Sequence, residues 1–167
     1  SVEDQAGSEF GVSFVIDVTP VNDPPIAFDL PRANRPGDIA FGEEGKWVDA
    51  ILVATDVDTL APGEPPPAAG ENRAQTTFEF RVSSLPQGTD MDSLVIGETQ
   101  YDEATKEFYA TIRYQHSGSE DPTDTVVYTA FDGLAESAPK TVTIPIAGVP
   151  DAPFINAAST NIRTLED

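Results

Sequence analysis

Apolar side chains recur at every second position along this chain and almost nowhere at helical spacing. Val12, Phe14, Ile16 and Val18 point one way while Ser13, Asp17 and Thr19 point the other. The same period of two returns in Phe78-Phe80-Val82, Phe108-Ala110-Ile112-Tyr114, Val126-Tyr128-Ala130 and Val142-Ile144-Ile146. Alternation of this kind is the mark of a strand with one buried face. Trp47 to Ala54 is a further run and Leu94 to Ile96 a weaker one. No stretch keeps an i, i+3, i+4, i+7 apolar stripe over three turns. Most of the prolines and glycines stand between the runs, at Pro24-Pro25, Pro36-Gly37, Pro86-Gln87-Gly88 and Asp132-Gly133. About seven short strands punctuated in this way predict an all-β fold, an antiparallel Greek-key β-sandwich of the immunoglobulin-like type. Trp47 and Tyr128 are expected in its core. One segment breaks the rhythm: "LAPGEPPPAAGEN", Leu60 to Asn72, cannot pair as a strand because proline lacks the ladder donor. It reads as an exposed insertion between two strands.

A phrase is also repeated. "VNDPP" (Val21 to Pro25) and "VPDAP" (Val149 to Pro153) lie 128 positions apart, and at that offset Asp4 falls on Asp132 and Ile16 on Ile144 without a gap. The strand alternation stays in phase. A division into units follows. Residues 1–21 read as the last strand and linker of a preceding unit, 22–150 as one complete unit, and 151–167 as the linker and start of the next. Both ends of the chain look like cuts inside a longer protein.

Charge narrows the partners. Twenty-nine acidic residues against nine basic ones give a formal net charge of −20, which repels a phosphate backbone and disfavours an anionic membrane surface. Nucleic acid is therefore not expected as a partner, nor is membrane insertion, since no apolar run approaches the roughly 18 residues of a span. There is no cysteine, so neither disulfides nor thiolate chemistry enter. The acids collect where strands end: Glu43-Glu44, Asp56-Val57-Asp58, Glu120-Asp121, Asp132, and the linker acids Asp23 and Asp151. In a sandwich, strand ends and linkers meet at two poles. Two carboxylates about 4 Å apart repel by roughly 1 kcal/mol even in water, and by more near a protein surface. Four or five at one pole call for a counterion. Calcium takes roughly six to eight oxygens and fits such a donor set, whereas magnesium wants stricter octahedral geometry. Zinc would want His or Cys, and the chain has one histidine. Acids are also ordinary at turns, and an acidic surface can simply be a well-solvated one.

The order Glu44, "ATDVDT" (Ala54 to Thr59), Glu120-Asp121, "AFDG" (Ala130 to Gly133) and a closing linker acid resembles the calcium-binding layout of cadherin repeats. The stretch "RYQHSGSEDPTDTVVYTAFDG", Arg113 to Gly133, is closer still to the chondroitin-sulfate-proteoglycan repeat, a cadherin-like module with Tyr-x-His-x-Gly-Ser-Glu followed by a strand and Ser-Asp-Gly. "VNDPP" resembles the phrase that joins such repeats in very large bacterial surface proteins. The resemblance implies Ca2+ held between successive units. Asn22 and Asp23 match the linker, and Asp56, Asp58 and Asp132 the acids presented to it, with Asn72 as a further carbonyl donor. At the other pole Glu44, Glu120 and Asp121 would face Asp151. Pro150 replaces Asn22 in the second linker, so one or two ions per joint are expected rather than a full set.

The function so implied is a calcium-binding structural and adhesion repeat of an extracellular or cell-surface protein, bacterial in origin. Its partners would be neighbouring repeats of the same chain, with a surface protein or glycan beyond. The alternative is a β-sandwich carbohydrate-binding module. Catalysis is not expected: carboxylate pairs suffice for glycoside hydrolysis, but these acids sit at unit boundaries, and no nucleophile motif accompanies them. His116, beside a Ser-Gly-Ser turn, reads as a structural turn residue.

Overall fold

The structure, a computed structural model, describes residues 2–3, 9–10, 13, 21–38, 40–59 and 77–151. Two short strands, β1 (Val2–Glu3) and β2 (Glu9–Phe10), pair with each other. Apart from Ser13, the expected strand over Val12 to Val18 lies outside the described residues, as do the proline-rich insertion from Leu60 to Asn72 and most of the closing segment.

The central unit is a sandwich of two sheets. The first contains β3 (Ile26–Ala27), β5 (Trp47–Thr55), β9 (Glu107–Gln115) and β7 (Val95–Ile96), in that order, with β8 (Gln100–Asp102) also pairing β9. The second runs β4 (Gly42–Glu43), β11 (Lys140–Ala147), β10 (Thr123–Phe131) and β6 (Glu79–Ser84). Among the described residues these strand pairings are antiparallel except β4 against β11, which is parallel, as is an isolated bridge between Leu30 and Val142. The chain crosses from one sheet to the other at every step from β3 to β7 and again between β9 and β10, which makes most neighbours within each sheet non-consecutive. This is the all-β sandwich that the period-two pattern predicts. The strand count is higher than seven because short edge pieces, β3, β4, β7 and β8, accompany the long strands.

Alternation becomes burial strand by strand. Val48, Ala50, Leu52 and Ala54 of β5 and Phe108, Ala110, Ile112 and Tyr114 of β9 face Val126, Tyr128 and Ala130 of β10 and Val142, Ile144 and Ile146 of β11. Each fully buried Val, Leu, Ile or Phe among them contributes roughly 1.5–3 kcal/mol by leaving water, the alanines less. Phe78 stacks on Phe108 at 4.1 Å between ring centroids, closing the core beside β6. Tyr128 also fastens the sheets to each other. Its hydroxyl lies 2.6 Å from Phe28 O and 2.8 Å from Val53 O, and accepts from the N–H groups of both residues. Burial pushes its phenol up to about 12, so it stays a neutral donor.

Trp47 departs from expectation. It is 54% exposed, on the outer face of β5 opposite Gln115. The period-two register explains this: Val48, one position on, is the inward residue, and Trp47 must then point out.

Strand direction decides which loops meet. β5 and β10 end at the pole where β9 and β11 begin, and β3 pairs the end of β5 through Ile26 and Thr55. That amino-terminal pole collects the residues before β3, after β5 and after β10. The carboxyl-terminal pole collects the turn after β4, the loop between β9 and β10, and the segment after β11. Nine-residue strands place the two poles roughly 30 Å apart.

Candidate functional site

At the carboxyl-terminal pole, three of the acids singled out in the sequence converge. Glu44, Glu120 and Asp151 each offer a carboxylate oxygen, and these oxygens lie within 4.8 Å of one another. Each comes from a different element: Glu44 from the turn after β4, Glu120 from the β9–β10 loop, and Asp151 from the chain leaving β11. The Glu44 turn is held by Glu44 N–H donating to Ala147 O at 3.0 Å and by Lys46 N–H donating to Glu43 O at 3.1 Å. Glu44 Oε2 in turn accepts from Val149 N–H at 3.0 Å, so the same carboxylate ties the outgoing chain to the unit.

Electrostatics at this pole are unfavourable. Glu120 is exposed, yet the charge of Glu44, followed by that of Asp151, pushes its carboxyl above the usual range. A raised carboxyl of this kind is the signature of like charges sharing a site. The donor set suits a hard cation. Oxygens bound to one calcium at 2.3–2.6 Å stand at most about 5 Å apart, so three oxygens within 4.8 Å can share one ion. Three protein donors leave the remaining positions of such an ion to carbonyls or water. Asp121 stands outside this group.

The amino-terminal pole brings its residues together differently. Asp132 is fully buried, and its Oδ1 accepts from Leu134 N–H and Ala135 N–H, both at 2.7 Å, while Oδ2 accepts from Asn22 Nδ2 at 2.9 Å. Burial pushes this carboxyl up, but the N–H donors of Ala135 and Leu134 and the Asn22 amide outweigh it and hold it below the usual range. Asp23 N–H donates to Asp58 Oδ2 at 2.6 Å. Asp58 N–H reaches Asp56 Oδ1 at 3.4 Å, and Thr59 Oγ1 donates to Asp56 Oδ2. Asn22, Asp23, Asp56, Asp58 and Asp132 therefore do gather at one pole. There the carboxylates of Asp56, Asp58 and Asp132 accept hydrogen bonds from the chain itself, and no three acids among the described residues converge as they do at the other end.

Two arrangements were not legible as such in the sequence. Tyr114, His116 and Asp124 form a buried polar group beneath the carboxyl-terminal pole: Tyr114 Oη donates to Asp124 Oδ2 at 2.7 Å, and His116 Nε2 stands 3.5 Å from Asp124 Oδ1. On the outer face of the first sheet, Arg32 bridges Asp38 and Glu107, both at 2.6 Å, and Arg35 joins Glu107 at 2.7 Å. A groove of about 450 Å³ opens beside them, lined also by Asp102, Ile51 and Tyr109. The alternation hints at neither, because each joins residues far apart in the chain.

No protein-family model matches this chain, and no curated protein matches it. Among solved structures, it is similar to an endo-fucoidan hydrolase of glycoside hydrolase family 107, with a TM-score of 0.44 and 14% identity over 89% of this chain. The chain spans 17% of that protein's length. The expectation that catalysis plays no part is corrected here: the similar structure is that of an enzyme, and the exclusion does not stand. No helix among the described residues is long and apolar enough to cross a membrane.

Proposed function

We propose that this chain is a calcium-binding module of a tandem array, in which an ion at the carboxyl-terminal pole joins the sandwich to the chain that follows it. The observation that carries the reading is the convergence of Glu44, Glu120 and Asp151 from a turn, a loop and the outgoing linker. Without an ion their mutual repulsion loosens the linker. A divalent cation converts that repulsion into three attractions, and one ligand, Asp151, belongs to the linker itself. Binding therefore orders the joint, and a string of such joints becomes an extended rod suited to an extracellular or cell-surface adhesion protein. Neutral oxygen donors from the next unit would complete the coordination, so neighbouring repeats are the natural partners. Calcium fits better than zinc because every convergent donor is a carboxylate oxygen.

The test is calorimetric titration of calcium into the chain, together with small-angle scattering of two tandem units with and without chelator. Binding and a longer maximum dimension in calcium are expected. Unchanged dimensions and no heat of binding would sink the reading.

A second reading, recognition of carbohydrate, draws on the outer face of the first sheet. Trp47 is exposed there, and the groove beside Arg35, Asp102 and Tyr109 supplies polar groups next to an aromatic ring. A glycan array read with wild type and Trp47→Ala separates this from the joint reading, since the calcium ligands are untouched.

A further inference from the structure

We infer that His116 is the positioning residue of the carboxyl-terminal pole: its Nδ1 latches the Glu44 turn to the Glu120 loop. The inference deepens the calcium reading above and rests on it for its functional meaning, but its geometry stands by itself.

The imidazole is 2% exposed. Its Nδ1 accepts two backbone N–H groups, Gly45 at 3.2 Å and Gly118 at 2.9 Å. Gly45 directly follows Glu44, and Gly118 lies two positions before Glu120. One nitrogen thus holds both walls of the acidic site. Both donors are glycines in the left-handed region, with φ of 66° and 79°, which other residues adopt only with strain. The pairing of His116 with Gly118 in the His-x-Gly phrase is thereby explained: the turn must curl back so that its amide meets the ring.

Because Nδ1 accepts, the ring proton must sit on Nε2. That proton faces Asp124 Oδ1 at 3.5 Å, a contact longer than an ordinary hydrogen bond. Asp124 is itself fixed by Tyr114 Oη. Tyr114 and His116 precede the β9–β10 loop and Asp124 follows it, so the buried group closes the neck of the loop that carries Glu120. Two further bonds, Gln115 Nε2 to Gly45 O at 2.7 Å and His116 N–H to Lys46 O at 2.9 Å, draw the same two segments together from the backbone side. The imidazole adds the bonds that set the spacing between the two carboxylates.

The experiment compares wild type, His116→Asn and His116→Leu in the 167-residue chain. Asparagine can place an acceptor oxygen near the Nδ1 position, whereas leucine fills the space without an acceptor. The first readout is hydrogen exchange of the Gly45 and Gly118 amides, followed by NMR without metal. Exchange should be slow in wild type and His116→Asn, and at least tenfold faster in His116→Leu, where both amides lose their acceptor. The second is terbium emission sensitised through Trp47, the single tryptophan, three residues from Glu44. Terbium affinity should drop at least tenfold in His116→Leu and recover in His116→Asn.

Gly45 and Gly118 amides that exchange as slowly in a folded His116→Leu protein as in wild type overturn the latch. If that variant does not fold, nitrogen shifts of the wild-type imidazole decide: Nε2–H with Nδ1 as acceptor supports the latch, and Nδ1–H overturns it. Should amide exchange speed up as expected while wild type binds neither terbium nor calcium, the latch stands and the calcium reading fails.

Discussion

The two poles of this sandwich are built from the same kind of residue and reach opposite electrostatic states. At the amino-terminal pole Asp132 is buried among N–H donors, and Asp56 and Asp58 accept from Thr59, Asp58 and Asp23. At the carboxyl-terminal pole Glu44, Glu120 and Asp151 face one another. The difference teaches that the number of acids at a strand end says little about whether they need an ion. What matters is how many backbone donors the local turn aims at them. The Asp132-Gly133-Leu134-Ala135 turn directs two amides at one oxygen, while the Glu120 loop directs its Gly118 amide at a histidine.

The sharpest way to break this comparison is Asp132→Ala. It leaves the part-buried Leu134 and Ala135 amides and Asn22 side chain without their acceptor, so each loss falls at the low end of the usual range. Each such loss costs about 1–3 kcal/mol, so urea denaturation of the metal-free protein should show a drop of about 3 kcal/mol. A loss below about 1 kcal/mol would mean that the amino-terminal pole is not held by this carboxylate.

The next largest effect is the response to calcium. With free calcium at about one hundred times the dissociation constant, mass action stabilises the folded state by about 2.7 kcal/mol. The thermal midpoint should rise accordingly in wild type and in Asp56→Asn, and stay fixed in Asp151→Asn. Loss of the rise in Asp56→Asn with retention in Asp151→Asn would place the ion at the wrong pole.

Acid titration sharpens the contrast, because the two poles carry opposite signs. The Asp132 carboxyl is held low by its donors. Its contribution is therefore full above the unfolded aspartate value and is lost as pH falls through the lower folded value. Glu120 is held high by Glu44 and Asp151, so it opposes folding once ionised, and the strain is relieved as pH falls through its raised value. The pH–stability curve of Glu120→Gln, compared with wild type, should lie higher in the neutral range and converge with it in acid. That of Asp132→Asn should lie lower at neutral pH and converge only at strongly acid pH. Curves that run parallel would remove the electrostatic distinction. The smallest effect belongs to Asp121→Asn, which should leave calcium affinity unchanged because that side chain stands outside the convergent trio.

Much of this was legible in the chain itself. The β5, β9, β10 and β11 strands follow the alternation closely, since a period of two leaves a half-buried strand only one choice of inward face. Glu44, Glu120 and Asp151 were legible as strand-end acids, and the polarity of each strand then brought them to one pole. Trp47 differs from its expected place in the core because the register of Val48, the inward residue, governs its direction. The hydrogen bonds that hold Asp132 are not legible in the sequence, which does not state where the amides of Leu134 and Ala135 point. The tie between Tyr114, His116 and Asp124 joins the end of one strand to the start of another in the opposite sheet, and no local pattern encodes it.

By itself, then, the sequence determined the class of fold, the inward face of each long strand and the strand ends at which charge accumulates. Only the tertiary structure decided which acids confront each other and which are answered by backbone donors. The physical reason is range: alternation is set by neighbouring residues along one chain segment, whereas repulsion and hydrogen bonding depend on distances of a few ångströms between segments brought together by folding.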